Sequence, residues 1–319
     1  MYASDTSFVT LTNSGTEVAR LQLTHSNPVM KNNENRFLTY GIGSASYEIS
    51  SFDETLYSGN AENKIYTGDV ASNGTYCLVT EDNGYLTTLY AYSKNNNRIY
   101  KYSFSEYYIT SVAINKDGSG CVATGVSSDK GSAVTGVYVL DFSQENPVST
   151  YKISGDSVLD CKYLTSDTAV LVGSQASYIV KKGEKNYKTV SYEDKTLSNY
   201  CFNTDTSTYT MALSRSGDGR SVALISYNSN GEAQYTINTE HKADSLSVYK
   251  GTVAILDGNV VYGYNQNGDL LYSTNSGTGS KKIVLASDYT AYILSVNQIR
   301  FIDLDSVSSD DTAQTSKQE

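Results

Sequence analysis

The stretch Ile109–Ser154, ITSVAINKDGSG-CVATGVSSDKGSA-VTGVYVLDFSQENP-VSTYKIS, decides the fold. It holds four short runs of β-forming residues, parted by Gly, Asn, Asp, Ser and Pro, which supply turn geometry. The run VYVLDF is apolar on both faces, whereas a half-exposed strand would alternate strictly; both faces are therefore expected against other sheets. Four antiparallel strands covered on both faces read as one blade of a β-propeller.

Similar units lie on either side. Upstream come VMKN, RFLTYGI, ASYEISSF and ETLYSG from Val29, then IYTGDVAS, TYCLVTED, TTLYAYS and RIYKYSF. Downstream come VLDCKYLTS, AVLVGS, SYIVKKG and YKTVSYE, and two further units begin at Leu197 and Asp244. The period is about 35 to 48 residues, the range of propeller blades. Turn chemistry agrees: Asp82-Asn83-Gly84, Lys116-Asp117-Gly118, Asn230-Gly231, Asp257-Gly258 and Asn267-Gly268 supply the positive φ values of tight hairpins. No segment carries a sustained 3.6-residue apolar stripe, so no long helix is expected.

The two ends are incomplete. The last unit has three runs (KKIVLAS, YTAYILS, QIRFIDLD), and the first is a hairpin, SFVTLT and EVARLQL around Asn13-Ser14-Gly15. Glu17–Leu23 is expected to complete the blade begun at Lys281, closing a ring through shared N- and C-terminal strands. The expected fold is therefore all-β: a single propeller domain over 1–305, of four-stranded antiparallel blades, seven by this arithmetic with six or eight as alternatives. The remainder, 306–319, reads as a disordered polar tail. A pair of β-sandwiches would explain the strands but not the period.

Composition narrows the functional classes. A net charge of −10 repels phosphate, so neither nucleic acid nor anionic lipid is an expected partner. No apolar run reaches the ~18 residues of a membrane helix. No membrane insertion is thus expected within this chain, although an upstream anchor is compatible with it. Only 18% of residues are charged, while Ser, Thr, Asn, Gly and Tyr abound. Such a surface resembles that of exported proteins, so of the two readings, cytosolic or extracytoplasmic (secreted or anchored at the cell surface), the second is expected. A monomer is expected as well.

No reactive set assembles from the sequence. His25 and His241 stand alone in connections, far from the clustered ligands a zinc site needs, so no metal and no cofactor are expected. Cys77, Cys121, Cys161 and Cys201 are spaced by 44, 40 and 40 residues, close to the blade period. Cys77 and Cys121 fall on matching second strands, and Cys161 and Cys201 on matching inner strands. Equivalent positions on adjacent blades are expected beyond the ~7 Å a bridge tolerates, which makes them small buried apolar residues without disulfides.

The segment VAINKDGSGCVATG resembles the inner hairpin of surface-layer-type and quinoprotein-like propellers, through Val112, Ala113, Asp117, Gly118 and Val122. Asp69–Val79 is a looser copy. Over residues 5–305 the chain resembles the uncharacterised extracellular propeller domains of Gram-positive bacteria that follow a single membrane anchor. The Trp docking motifs of quinoprotein dehydrogenases, the Gly-His and Trp-Asp dipeptides of WD repeats and the sialidase Asp box are all missing; the chain has no Trp.

Tyrosine is in excess, at 29 against seven Phe. Most are expected to pack between blades as favoured strand residues. Those in loops have another use, because a Tyr ring with its polar tip anchors protein and sugar ligands. The expected rim face collects Tyr85, Tyr107, Tyr108, Asp129, Lys130, Arg215, Asp218, Arg220 and His241. The leading expectation is a non-catalytic module binding an unknown protein or glycan there. The alternatives are a lyase or glycosidase using carboxylates with Tyr or Arg at the channel mouth, and a structural spacer.

Overall fold

The structure, a computed structural model, describes residues 1–4, 6–12, 14–215 and 220–304. Among these, every regular element is a β-strand, and the strands form eight antiparallel sheets in chain order. The first sheet contains β1 (Tyr2–Ala3), β2 (Ser7–Leu11) and β3 (Glu17–Gln22). The second contains β4 (Pro28–Asn33), β5 (Arg36–Gly41), β6 (Ser46–Ser50) and β7 (Thr55–Asn60). The third contains β8 (Ile65–Val70), β9 (Tyr76–Thr80), β10 (Thr87–Tyr92) and β11 (Arg98–Phe104). The fourth, over the stretch that opens the sequence reading, contains β12 (Tyr108–Ile114), β13 (Gly120–Asp129), β14 (Ser132–Asp141) and β15 (Ser149–Ser154). The fifth contains β16 (Val158–Tyr163), β17 (Thr168–Gly173), β18 (Ala176–Lys181) and β19 (Lys188–Ser191). The sixth contains β20 (Thr196–Asn203), β21 (Thr208–Ser214), β22 (Val222–Asn228) and β23 (Ala233–Thr239). The seventh contains β24 (Ser245–Tyr249), β25 (Thr252–Asp257), β26 (Val260–Tyr264) and β27 (Leu270–Asn275). The eighth contains β28 (Ser280–Ser287), β29 (Thr290–Ser295) and β30 (Ile299–Asp303).

The expectation of seven blades with one blade shared between the chain ends is corrected: there are eight, and the end sheets are separate. β2 pairs on one side with β1, through Tyr2↔Val9 and Ala3↔Phe8, and on the other with β3. The hairpin therefore builds a sheet of its own, and Phe8 and Leu23 bury themselves with Phe37 of the next sheet. Lys281 lies in β28, which forms a three-stranded sheet with β29 and β30. The two-residue β1 carried no readable strand signal, so the first sheet looked like half a blade.

The chain divides into two compact units, with sheets one to five, up to Ser191, in the first and the sheets from Tyr192 onward in the second. Within each, the core lies between neighbouring sheets. Val79 and Leu89 meet Val112 and Leu140 between the third and fourth; Val139 and Ile153 meet Val158 and Leu171 between the fourth and fifth. Strands such as β9 and β17 are accordingly buried along their whole length, while fourth strands such as β7 and β19 alternate towards solvent. Many of the 29 tyrosines fill these seams, with Tyr76, Tyr192, Tyr209 and Tyr272 fully buried.

Buried polar side chains stitch sheet to sheet by satisfying first-strand backbone that has no ladder partner. Asp69 Oδ2 accepts from Ile114 N at 2.9 Å, Thr135 Oγ1 from Val158 N at 3.1 Å, and Ser247 Oγ from Leu285 N at 3.0 Å. The turn at Gly118 (φ 71°) needs glycine: a Cβ would also come within 2.7 Å of the Asn73 side chain. The segment 306–319 expected as a tail lies outside the described residues.

Candidate functional site

The rim residues of the first unit sit where second strands turn into third strands and fourth strands lead into the next first strand. Tyr85 rides the loop between β9 and β10, which Asp82 shapes by accepting from Gly84 N at 2.8 Å and Thr88 Oγ1 at 2.9 Å. Those bonds hold the Asp82 carboxyl below the usual range. Leu86 N donates to Phe104 O at 2.9 Å, and Ile109 N to Thr87 Oγ1 at 3.4 Å. The Tyr85 loop is thereby tied to the connection bearing Tyr107 and to Tyr108. The sequence reading placed Tyr108 in that connection, but it pairs with Val126 as the first residue of β12. Tyr85 and Tyr108 are about half exposed, at 51% and 50%.

Asp129 and Lys130 belong to a tongue. β13 and β14 pair as far as Asp129↔Ser132, but β12 stops at Val126 and β15 at Val134. Ser127–Ala133 therefore extends beyond its flanking strands, with Lys130 at its tip (φ 52°). At its base the Tyr107 ring lies flat on Gly136, where a Cβ would stand 2.4 Å from the ring, and meets Tyr138 edge-on at 6.1 Å. Tyr107, Glu106, Ser128, Asp129, Val134 and Lys152 line a cavity of about 280 Å³. Across it Lys152 Nζ donates to Asp129 Oδ2 at 3.0 Å.

The remaining candidates belong to the second unit. Arg215 lines a cavity of about 310 Å³ with Glu193, Asp194 and Lys195. His241 stacks on Tyr262 with ring centroids 3.5 Å apart, its Nδ1 3.7 Å from Asp257 Oδ2. Arg220 is exposed just before β22. Asp218 lies outside the described residues.

Two features escaped the sequence reading. First, bulges interrupt β8, β12 and β16 at Tyr66, Thr110 and Leu159, turning those residues outward. Tyr66 is 37% exposed and feels Glu81 and Tyr108, so it joins the tyrosines of the rim. Its place inside an ordinary strand run gave no hint of this. Second, the first strands carry an inward charged cluster: Lys31 on β4, Asp69 on β8, and Asp160 and Lys162 on β16. The available signal was a charged residue inside otherwise apolar first-strand runs (VMKN, TGDVAS, VLDCKY).

These four side chains border a cavity of about 140 Å³ with Met30 and Val112. Lys31 Nζ stands 3.8 Å from Asp160 Oδ1, and Lys162 Nζ 3.9 Å from Asp69 Oδ1. Asp160 Oδ1 accepts from Ser111 Oγ at 3.1 Å and from Cys161 N at 2.9 Å. Burial opposes the Lys31 charge, but Asp160 and then Asp69 outweigh it and hold its pKa above the ordinary lysine value. Burial, and next Asp160, push the Cys161 thiol up to about 12, so it is no nucleophile.

The four cysteines are free thiols; Cys77 and Cys121 lie on β9 and β13, Cys161 and Cys201 on β16 and β20. Burial, and next the neighbouring Cys77, push the Cys121 thiol well above its ordinary value. His25 is buried, and neither ring nitrogen has a hydrogen-bond partner among the described residues. Among those residues there is no group of three or more His, Cys, Asp or Glu that could hold a metal ion, and no helix long and apolar enough to cross a membrane.

Eight consecutive antiparallel sheets with their cores between neighbours define a β-propeller, and solved structures share the fold. The chain is similar to the C-terminal WD40 domain of Sif2 (TM-score 0.61, 15% identity, covering 85% of this chain and 78% of that one). It is also similar to Hsv2 of Kluyvelomyces marxianus (TM-score 0.59, 10% identity, covering 89% and 93%). KlHsv2 with loop 6CD replaced by a Gly-Ser linker aligns equally well (TM-score 0.59, 12% identity, covering 89% and 93%). The chain belongs to the family of unknown function DUF5711, whose model matches residues 2–304. No curated protein matches it.

Proposed function

We propose that this propeller is a non-catalytic interaction module that engages a protein partner through the rim of its first unit. The observation that carries this reading is the exposure of Tyr66, Tyr85 and Tyr108 beside the Ser127–Ala133 tongue. Exposed tyrosines bring large rigid contact area at low entropic cost, and tyrosine is over-represented among interface anchors. The tongue adds backbone and charge, and Lys152, Asp129 and Glu106 give the mixed polar rim such interfaces carry. A glycan chain is the second reading, favoured by the same ring faces. A module of this composition is proposed to work outside the cytoplasm, at the surface of a Gram-positive cell.

The test compares the wild type with Tyr85→Ala/Tyr108→Ala and with a chain whose tongue is shortened to a two-residue turn. Each is assayed by surface plasmon resonance against cell-surface protein fractions and cell-wall glycan fragments. Expected is at least about a tenfold loss of binding in both variants, with unchanged melting temperatures. Equal binding by all three proteins would sink the assignment of this face; binding to glycan fragments alone would favour the second reading.

A further inference from the structure

The inner cavity of the first unit holds two ammonium groups and two carboxylates whose ion pairs stand beyond hydrogen-bond contact. Buried ion pairs offset their desolvation only when hydrogen-bonded at contact distance, about 2.7–2.9 Å for N⁺–H···O⁻. Here both lysine–aspartate separations, 3.8 and 3.9 Å, exceed that reach. A lysine on its four-carbon stem can normally swing into contact. Asp69 cannot follow, because its Oδ2 is committed to Ile114 N. Its side chain is 2% exposed, and Oδ1 has no hydrogen-bond partner among the described residues. Lys31, Asp160 and Lys162 keep 29%, 27% and 22% of their side-chain surface, so the cavity is open to solutes.

The volume of about 140 Å³ equals four or five waters at about 30 Å³ each. A lone anion placed there would face Asp69 and Asp160, and a lone cation would face both lysines. A small molecule carrying both charges complements all four, and Met30 and Val112 give its carbon skeleton an apolar wall. Its contacts add to the hydrogen bonds that Asp160 accepts from Ser111 Oγ and Cys161 N and that Lys162 donates to Asn32 O at 3.5 Å. We propose that this cavity binds a free α-amino acid with a short aliphatic side chain, its carboxylate against Lys31 and Lys162 and its ammonium against Asp69 and Asp160. The site is independent of the rim, so the module would sense a small solute as well as bind a partner.

The experiment titrates the full chain by calorimetry and thermal shift with alanine, with propionate, which lacks the ammonium, and with ethylamine, which lacks the carboxylate. Alanine is expected to bind saturably and raise the melting temperature, and the single-charge fragments to do neither. Asp69→Asn, which keeps an acceptor for Ile114 N, and Lys31→Met, which keeps the aliphatic stem, should each weaken binding about ten- to hundredfold. Absence of binding by alanine and the other small aliphatic amino acids overturns the proposal. So does propionate or ethylamine binding as well as alanine, or a correctly folded Asp69→Asn protein retaining wild-type affinity.

Discussion

At the scale of single residues, charge placed in or beside the packed seams sets how this protein responds to acid. His25 is buried, and burial lowers its pKa from the ordinary 6.5 despite the nearby Glu48. The unfolded chain takes up that proton first, so stability falls as pH drops below about 6.5. Asp141 follows in a lower window. The hydrogen bond from Lys182 Nζ at 2.7 Å, with those from Ser143, lowers its pKa from 3.8 to about 2. Its stabilisation is present above the unfolded value and disappears as pH falls from about 4 towards 2. Urea midpoints measured from pH 8 to pH 2 should show both declines. His25→Gln should remove the upper one and Asp141→Asn the lower; a profile unchanged in both variants would mean neither group is linked to folding.

At the scale of elements, one carboxylate organises a whole turn. Asp156, 3% exposed, accepts from Ser157 N, Ser174 N and Oγ, Gln175 N, Ala176 N and Tyr178 Oη. It anchors the turn from β17 to β18 to the entry of β16. Asp156→Ala strands those buried donors, and a loss of about 3 kcal/mol is expected from urea unfolding. An unchanged midpoint would show that water replaces the carboxylate without cost. This element also shows what local reading misses. The strands around Asp156 were legible as AVLVGS and SYIVKKG, but nothing nearby marked it as a hub, because its partners other than Ser157 lie 18 to 22 residues downstream. The outward turn of Tyr66 was hidden likewise: a bulge is a property of strand pairing, and the local residue pattern did not announce it.

At the scale of the molecule, the acidic surface selects partners. With a net charge of −10, a cationic peptide should associate more slowly as salt rises from about 0.05 to 0.5 M. Duplex DNA should not be retarded in a gel at about 0.15 M ionic strength. Stopped-flow association and a mobility shift check the two statements; retarded DNA would reveal a basic face that net charge conceals.

The strand map was readable because each strand is a local pattern of apolar runs and turn residues. Tertiary pairing alone decided that the end hairpin becomes an eighth sheet. Two residues, Tyr2 and Ala3, are too few to signal a strand, yet they suffice to cap the edge of β2. The rim tyrosines Tyr85, Tyr107 and Tyr108 were found from the sequence, although Tyr108 opens β12 and does not lie in a loop. Lys31, Asp69, Asp160 and Lys162 were not, since residues separated by up to 131 positions become a site only when three sheets bring their first strands together. Ile109–Ser154 remains the clearest blade, and its turn at Ser127–Ala133 proves to be a strand-paired tongue.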